Sequence, residues 1–127
     1  GKRKKIHQQT VFFMRSRELG MPEMQMQPET FFNKITAYLN ITQDIDFEEH
    51  PKFSAQYLLQ GKDEEYIRTV MNDQVLKFFT LEKGWTLETV NFFMILHKEN
   101  KLLKPWEVQR LYKKGMKLHE MFKMDEI

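Results

Sequence analysis

The chain contains no cysteine. Disulfide frameworks, zinc fingers and cysteine nucleophiles are thereby excluded together, and a reducing compartment is mildly favoured. No apolar run reaches the roughly 18 residues that span a bilayer. No signal peptide is visible, because Gly1 to Lys5 lead into a polar stretch. Gly1 stands where an initiator Met would, so the chain is expected to continue upstream. Only Ser16 and Ser54 are serines, and neither lies in Gly-x-Ser-x-Gly. Five scattered glycines build no phosphate-cradling loop.

Bulky apolar residues are plentiful. Eleven Phe, four Tyr and two Trp in 127 residues supply the core of one domain. Nine Met are many for this length, and they are expected to fill core gaps rather than line a binding groove. The formal net charge of +2 conceals an uneven distribution. Residues 1–5 carry four basic groups and no acid, residues 101–127 carry seven basic and four acidic groups, and the body between is acidic. Such asymmetry concerns partners and not fold.

Residues 1–7 read as a basic arm or juxtamembrane linker, and 8–127 as a single α+β domain. Gln8 to Ser16 reads as a central strand, since Thr10-Val11-Phe12-Phe13-Met14 is β-branched and aromatic on both faces. Leu19-Gly20-Met21-Pro22 signals a turn. Met24 to Gln27 alternates as a second strand, and the two are expected to pair as a hairpin. Pro28-Glu29-Thr30 opens a short helix ending near Asn40. An acidic loop from Asp44 to Pro51 leads to a third strand, Phe53 to Leu59, stopped by Gly61. Asp63 caps a helix carrying Ile67, Val70 and Met71. A break at Asn72-Asp73 is predicted, because both residues compete for backbone groups. Val75, Leu76, Phe78 and Phe79 continue beyond it to Gly84. Trp85 to Glu88 and Phe92 to Leu96 form a second hairpin around Thr89-Val90-Asn91. Pro105 opens the last helix, whose inner stripe is read as Val108, Leu111, Tyr112, Gly115, Leu118 and Phe122. Arg110, Lys113, Lys114 and Lys117 are read as its solvated face. The order predicts a two-layer sandwich, a mainly antiparallel sheet of about five strands with helices packed on one face.

Few constellations carry chemistry. Asp44, Asp46, Glu48, Glu49 and His50 crowd one loop. A calcium loop counted from Asp44 needs Gly at its sixth position and Glu at its twelfth, where this chain has Glu49 and Ala55. His7, His50, His97 and His119 show no metal-ligand spacing. No catalytic residue, metal ligand or cofactor site is therefore assigned. Lys2, Arg3, Lys4 and Lys5 form a basic run suited to an anionic surface. The last helix is basic but lacks interleaved aromatics for base stacking, which makes nucleic acid an unlikely partner.

The stretch Asp44-Ile45-Asp46-Phe47, His50-Pro51-Lys52-Phe53-Ser54, Tyr57-Leu58-Leu59-Gln60-Gly61-Lys62-Asp63-Glu64 resembles a family of bacterial membrane-associated proteins that has no assigned activity. Those proteins pair such a segment with short N-terminal membrane helices and a soluble C-terminal domain. The first strand, Leu19-Gly20-Met21-Pro22 and the Trp85 to Lys98 hairpin also fit, although the family's hairpin turn is glycine-rich. The resemblance implies that Lys2 to Lys5 adjoin a membrane, with the domain on its cytoplasmic side. The leading reading is a non-catalytic interaction or regulatory domain of a bacterial membrane protein, with a protein or membrane partner. The alternatives are a hydrolase-like enzyme using the loop around Asp44 and His50, and a weak nucleic-acid-binding module.

Overall fold

The computed structural model describes residues 8–31, 44–98 and 102–123. Five strands form one antiparallel sheet: β1 (Phe12–Arg15), β2 (Met21–Pro28), β3 (Tyr57–Gly61), β4 (Trp85–Asn91) and β5 (Phe93–Lys98). Their spatial order is β1-β5-β4-β2-β3. A 3-10 turn, Glu29–Phe31, follows β2. The described helices are α1 (Pro51–Gln56), α2 (Glu64–Val70), α3 (Asp73–Thr80) and α4 (Pro105–Phe122). The protein is an α+β fold, a sheet with its helices laid on one face.

The register explains which face is covered. Phe12, Leu96, Leu87, Met26 and Leu59 are successive partners across all five strands. All five are buried, and each such burial is worth about 1.5–3 kcal/mol. The neighbouring row, Phe13, Ile95, Glu88, Gln25 and Gln60, falls on the other face. There Phe13 is 58% exposed beside Phe93, so the β1 side of that face is open. The methionines pack as read: Met21, Met24, Met26, Met71 and Met94 lie in the core, with Met14, Met116 and Met121 against it.

The helices follow local chemistry. Asp63 accepts the Tyr66 N–H at 3.1 Å and starts α2. Asn72 accepts the Val75 N–H at 3.1 Å and starts α3. The predicted break at Asn72-Asp73 is thus a helix end followed by a capped helix start. Gly84, at φ 97°, turns the chain into β4. Pro105 opens α4, where the Lys104 N–H donates to Glu107 at 3.1 Å. Gly115 lets α4 approach β1: a Cβ there would stand 2.5 Å from the Phe12 ring.

Several expectations are corrected. The first two strands do not pair. β1 joins β5 at the edge of the sheet, and β2 lies between β4 and β3. Two residues near Ser16, Arg17 and Glu18, make the turn instead. Pro22 sits inside β2, at a register shift between Met21 and Met24, where a missing N–H breaks no regular ladder. Phe53 to Gln56 is helical, because Pro51 occupies the first turn of α1 and the strand begins only at Tyr57. Thr89 and Val90 belong to β4, and the hairpin turns on Asn91-Phe92 with Asn91 at φ 50°. On α4, Val108 and Tyr112 are exposed, whereas His119 is buried with its Nε2 3.0 Å from Ser16 Oγ. Most of the helix expected from Pro28 to Asn40 lies outside the described residues.

Candidate functional site: a basic face along the last helix

Two polar regions stand out, and helix α3 separates them. At its N-terminal end lies an open acidic cleft of about 690 Å³, walled by Asp46, Glu48, Glu49, His50, Arg68 and Asp73, with Met71 and Leu76 also lining it. His50 Nε2 stands 2.8 Å from Asp73 Oδ1. Asp44, the carboxylate that the hydrolase-like alternative pairs with His50, instead accepts the Leu59 N–H at 3.0 Å. Burial raises its pKa to about 6, with the charge of Asp46 adding to the rise. The cleft therefore holds a His–Asp pair, while Asp44 secures the start of the chain's path past β3. Among the described residues no three His, Asp or Glu side chains converge to hold a metal ion.

Beyond the C-terminal end of α3 the polarity reverses. Glu82 follows α3, and its carboxylate is met from three sides. Lys98 of β5 lies at 2.8 Å, Lys114 of α4 at 3.0 Å and Arg110 of α4 at 3.8 Å. Burial alone would raise the Glu82 pKa, but the hydrogen bonds and charges of Lys98 and Lys114 outweigh it and hold the carboxyl below its ordinary value. Tyr57 anchors the same loop, with its hydroxyl 3.0 Å from the Phe79 carbonyl and 2.7 Å from that of Glu82.

Helical spacing assembles the rest. Trp106, Arg110, Lys113 and Lys117 recur every three or four residues, so they share one stripe of α4, with Lys114 at its border. Arg110, Lys113, Lys114 and Lys117 surround Phe78 and Leu81 in a shallow groove. The Nζ atoms of Lys114 and Lys117 lie 5.4 and 6.0 Å from the Phe78 ring centroid, a cation–π arrangement. Two apolar side chains stand out into solvent at this face. Leu81 is 87% exposed and Trp106 is 62% exposed.

The basic face was legible in part. Arg110, Lys113, Lys114 and Lys117 were read as a solvated face, and they are indeed on the outside, though Lys114 is half-buried. The reading missed Trp106, whose signal was its position one helical turn before Arg110. It missed Glu82, Lys98 and Leu81 because no local pattern brings β5, the α3 exit and α4 together. Lys2, Arg3, Lys4 and Lys5 lie outside the described residues. No helix among the described residues is long and apolar enough to cross a membrane. Comparison of the chain with protein-family models, curated proteins and solved structures finds no match.

Proposed function

We propose that this chain is a non-catalytic interaction domain that rests against an anionic membrane surface, serving a membrane-associated protein from its cytoplasmic side. One observation carries the reading: on the α4 face, exposed Trp106 and Leu81 flank a stripe of five cations, Lys98, Arg110, Lys113, Lys114 and Lys117. Basic groups beside protruding Trp and Leu are the chemistry of an interfacial contact, with cations at the lipid phosphates and apolar tips just below them. The last helix does carry exposed aromatics, Trp106 and Tyr112, among its cations, contrary to the sequence expectation, so a base could stack there. The membrane reading is preferred on Leu81, the most exposed apolar tip of this face, which suits an acyl boundary and not a base.

The magnitudes describe a weak, orienting contact. Glu82 offsets one of the five cations and Glu107, at the start of α4, another. The remaining surplus contributes about 3 kcal/mol at low salt, at about 1 kcal/mol per basic residue. Insertion of Leu81 adds roughly 2 kcal/mol. The sum corresponds to a Kd on the order of 10⁻⁴ M. That orients a domain tethered to a membrane but does not anchor a free one. Co-sedimentation with vesicles over a salt series tests the reading. Binding to anionic vesicles that fades with salt, and weakens in Leu81→Ala and Trp106→Ala, is the expected result. Equal binding to neutral vesicles, or preference for DNA over vesicles at equal charge, would sink it.

A further inference from the structure

We infer that the cleft between the β4–β5 end of the sheet and α4 seats a single phosphate group, carried by a lipid headgroup or by a soluble phosphate monoester. The inference rests on the membrane reading for the lipid source only, and not for the chemistry of the seat. The cleft has a volume of about 100 Å³, room for about three water molecules. That suits a small oxyanion and is too small for a nucleotide or a drug-sized ligand.

The cations converge from a strand and a helix, Lys98 from β5 and Arg110 and Lys114 from α4. Trp85 of β4 lines the cleft and is 3% exposed, and Lys98 Nζ lies 5.6 Å from its ring centroid, a cation–π contact that holds this ammonium at the wall. Lys98 and Lys114 each direct a contact at Glu82, which leaves each ammonium further N–H groups. Arg110 is held loosely at 3.8 Å and is mostly exposed, so its guanidinium fork remains open to a bidentate oxyanion.

Charge selects the class of ligand. Lys98, Arg110 and Lys114 bring three positive charges, and Glu82 returns one. Glu107, also at the rim, directs its carboxylate to the Lys104 N–H at the start of α4. Three cations against the two carboxylates leave a surplus of one positive charge around the cleft, which favours a single small phosphate group over a polyphosphate. Glu82 thus has two effects. It holds two ammonium groups in place, and its own charge limits the seat to one small anion.

The two tryptophans of the chain, Trp85 and Trp106, both line this cleft, so their emission reports on it directly. The experiment is a fluorescence titration of the whole chain with glycerol 3-phosphate at constant ionic strength, with sodium acetate as control. A saturable change is expected with the phosphate ester and not with acetate. Arg110→Gln should weaken it at least tenfold, and Lys113→Gln, on the neighbouring groove, less than twofold. Glu82→Gln should tighten binding, an outcome that a purely structural role for Glu82 does not produce. A second titration with vesicles bearing phosphatidic acid or phosphatidylglycerol identifies the source. Quenching by the phosphatidic acid vesicles alone, lost in Arg110→Gln, supports a lipid phosphomonoester. A response to glycerol 3-phosphate without one to the vesicles supports a soluble ester in the same seat. Vesicle binding that depends on Lys113 and Lys117, without any saturable response to the soluble ester, overturns the phosphate seat and leaves the membrane reading standing. An equal response to acetate, or an unaltered titration in Arg110→Gln, overturns it as well.

Discussion

The two ends of helix α3 treat buried carboxylates in opposite ways. Near its N-terminal side, burial and the charge of Asp46 push the pKa of Asp44 up to about 6. Beyond its C-terminal end, Glu82 is also partly buried but sits among Lys98, Arg110 and Lys114, and its pKa is lowered. Acidic side chains gather where the helix dipole is positive and basic ones where it is negative, which favours both. The comparison shows that polarity here is organised by position along one short helix and not by a catalytic centre. The acidic end has an open cleft with one His–Asp pair. The basic end has convergent donors and protruding apolar tips.

The largest effect expected from this division concerns binding. Replacing Lys113 and Lys117 by Gln removes two charges from the α4 stripe and should weaken attachment to anionic vesicles about thirtyfold, from about 2 kcal/mol of lost attraction. Replacing Glu48 and Glu49 by Gln makes the same number of changes at the acidic end and should leave attachment unchanged or slightly stronger. A gain from Glu48 and Glu49 as large as the loss from Lys113 and Lys117, measured by co-sedimentation at low salt, would show that net charge matters and the face does not.

A smaller effect concerns the joint between the two ends. Asn72→Ala removes the side chain that caps α3, at a cost of about 1 kcal/mol. Urea unfolding should register that loss with an unchanged m-value, while vesicle binding at a temperature where the variant is folded should be kept. Asn72→Asp should retain most of the stability, since Asp caps equally well. If Asn72→Ala proves neutral, the break at this position rests on packing and not on the cap.

What the sequence disclosed and withheld follows the range of the interactions. Caps and turns depend on residues within three or four positions, so Asp63, Asn72, Gly84 and Pro105 were legible. The order of the elements also announced a mainly antiparallel sheet with helices on one face. Strand partners were not legible. Gln8 to Ser16 and Met24 to Gln27 are close in sequence and separated by a turn signal, yet β5 and β4 lie between them. Alternation misled at Phe53 to Gln56, where Pro51 at a helix start outweighed it. The loop around Asp44 and His50 was visible as a cluster, but the partner of His50 is Asp73, 23 residues away. The donors around Glu82 come from β5 and α4, and only folding brings them to one carboxylate.

The smallest expected effect separates the two carboxylates by pH. Asp44 has a folded pKa raised from 3.8 to about 6. Its contribution to stability is fully present below the unfolded value and is lost as pH rises through the folded one. Acidification from pH 7 towards pH 4 therefore stabilises the fold through Asp44. Glu82 has a folded pKa below its ordinary 4.5. Its contribution is present above 4.5 and is lost as pH falls through the folded value. The two slopes thus oppose each other in different windows, Asp44 acting mostly between pH 4 and 7 and Glu82 below about 4.5. Asp44→Asn keeps an oxygen to accept the Leu59 N–H and removes the titration. Thermal melts every half unit of pH should show the wild-type Tm rising more than that of Asp44→Asn between pH 7 and pH 5. Glu82→Gln should retain that rise and lose part of the fall below pH 4.5. Comparing each variant with wild type at every pH cancels the pH effects that all three proteins share. Parallel Tm curves for wild type and Asp44→Asn would mean that Asp44 is hydrated in solution, and the contrast between the two ends of α3 would then rest on Glu82 alone.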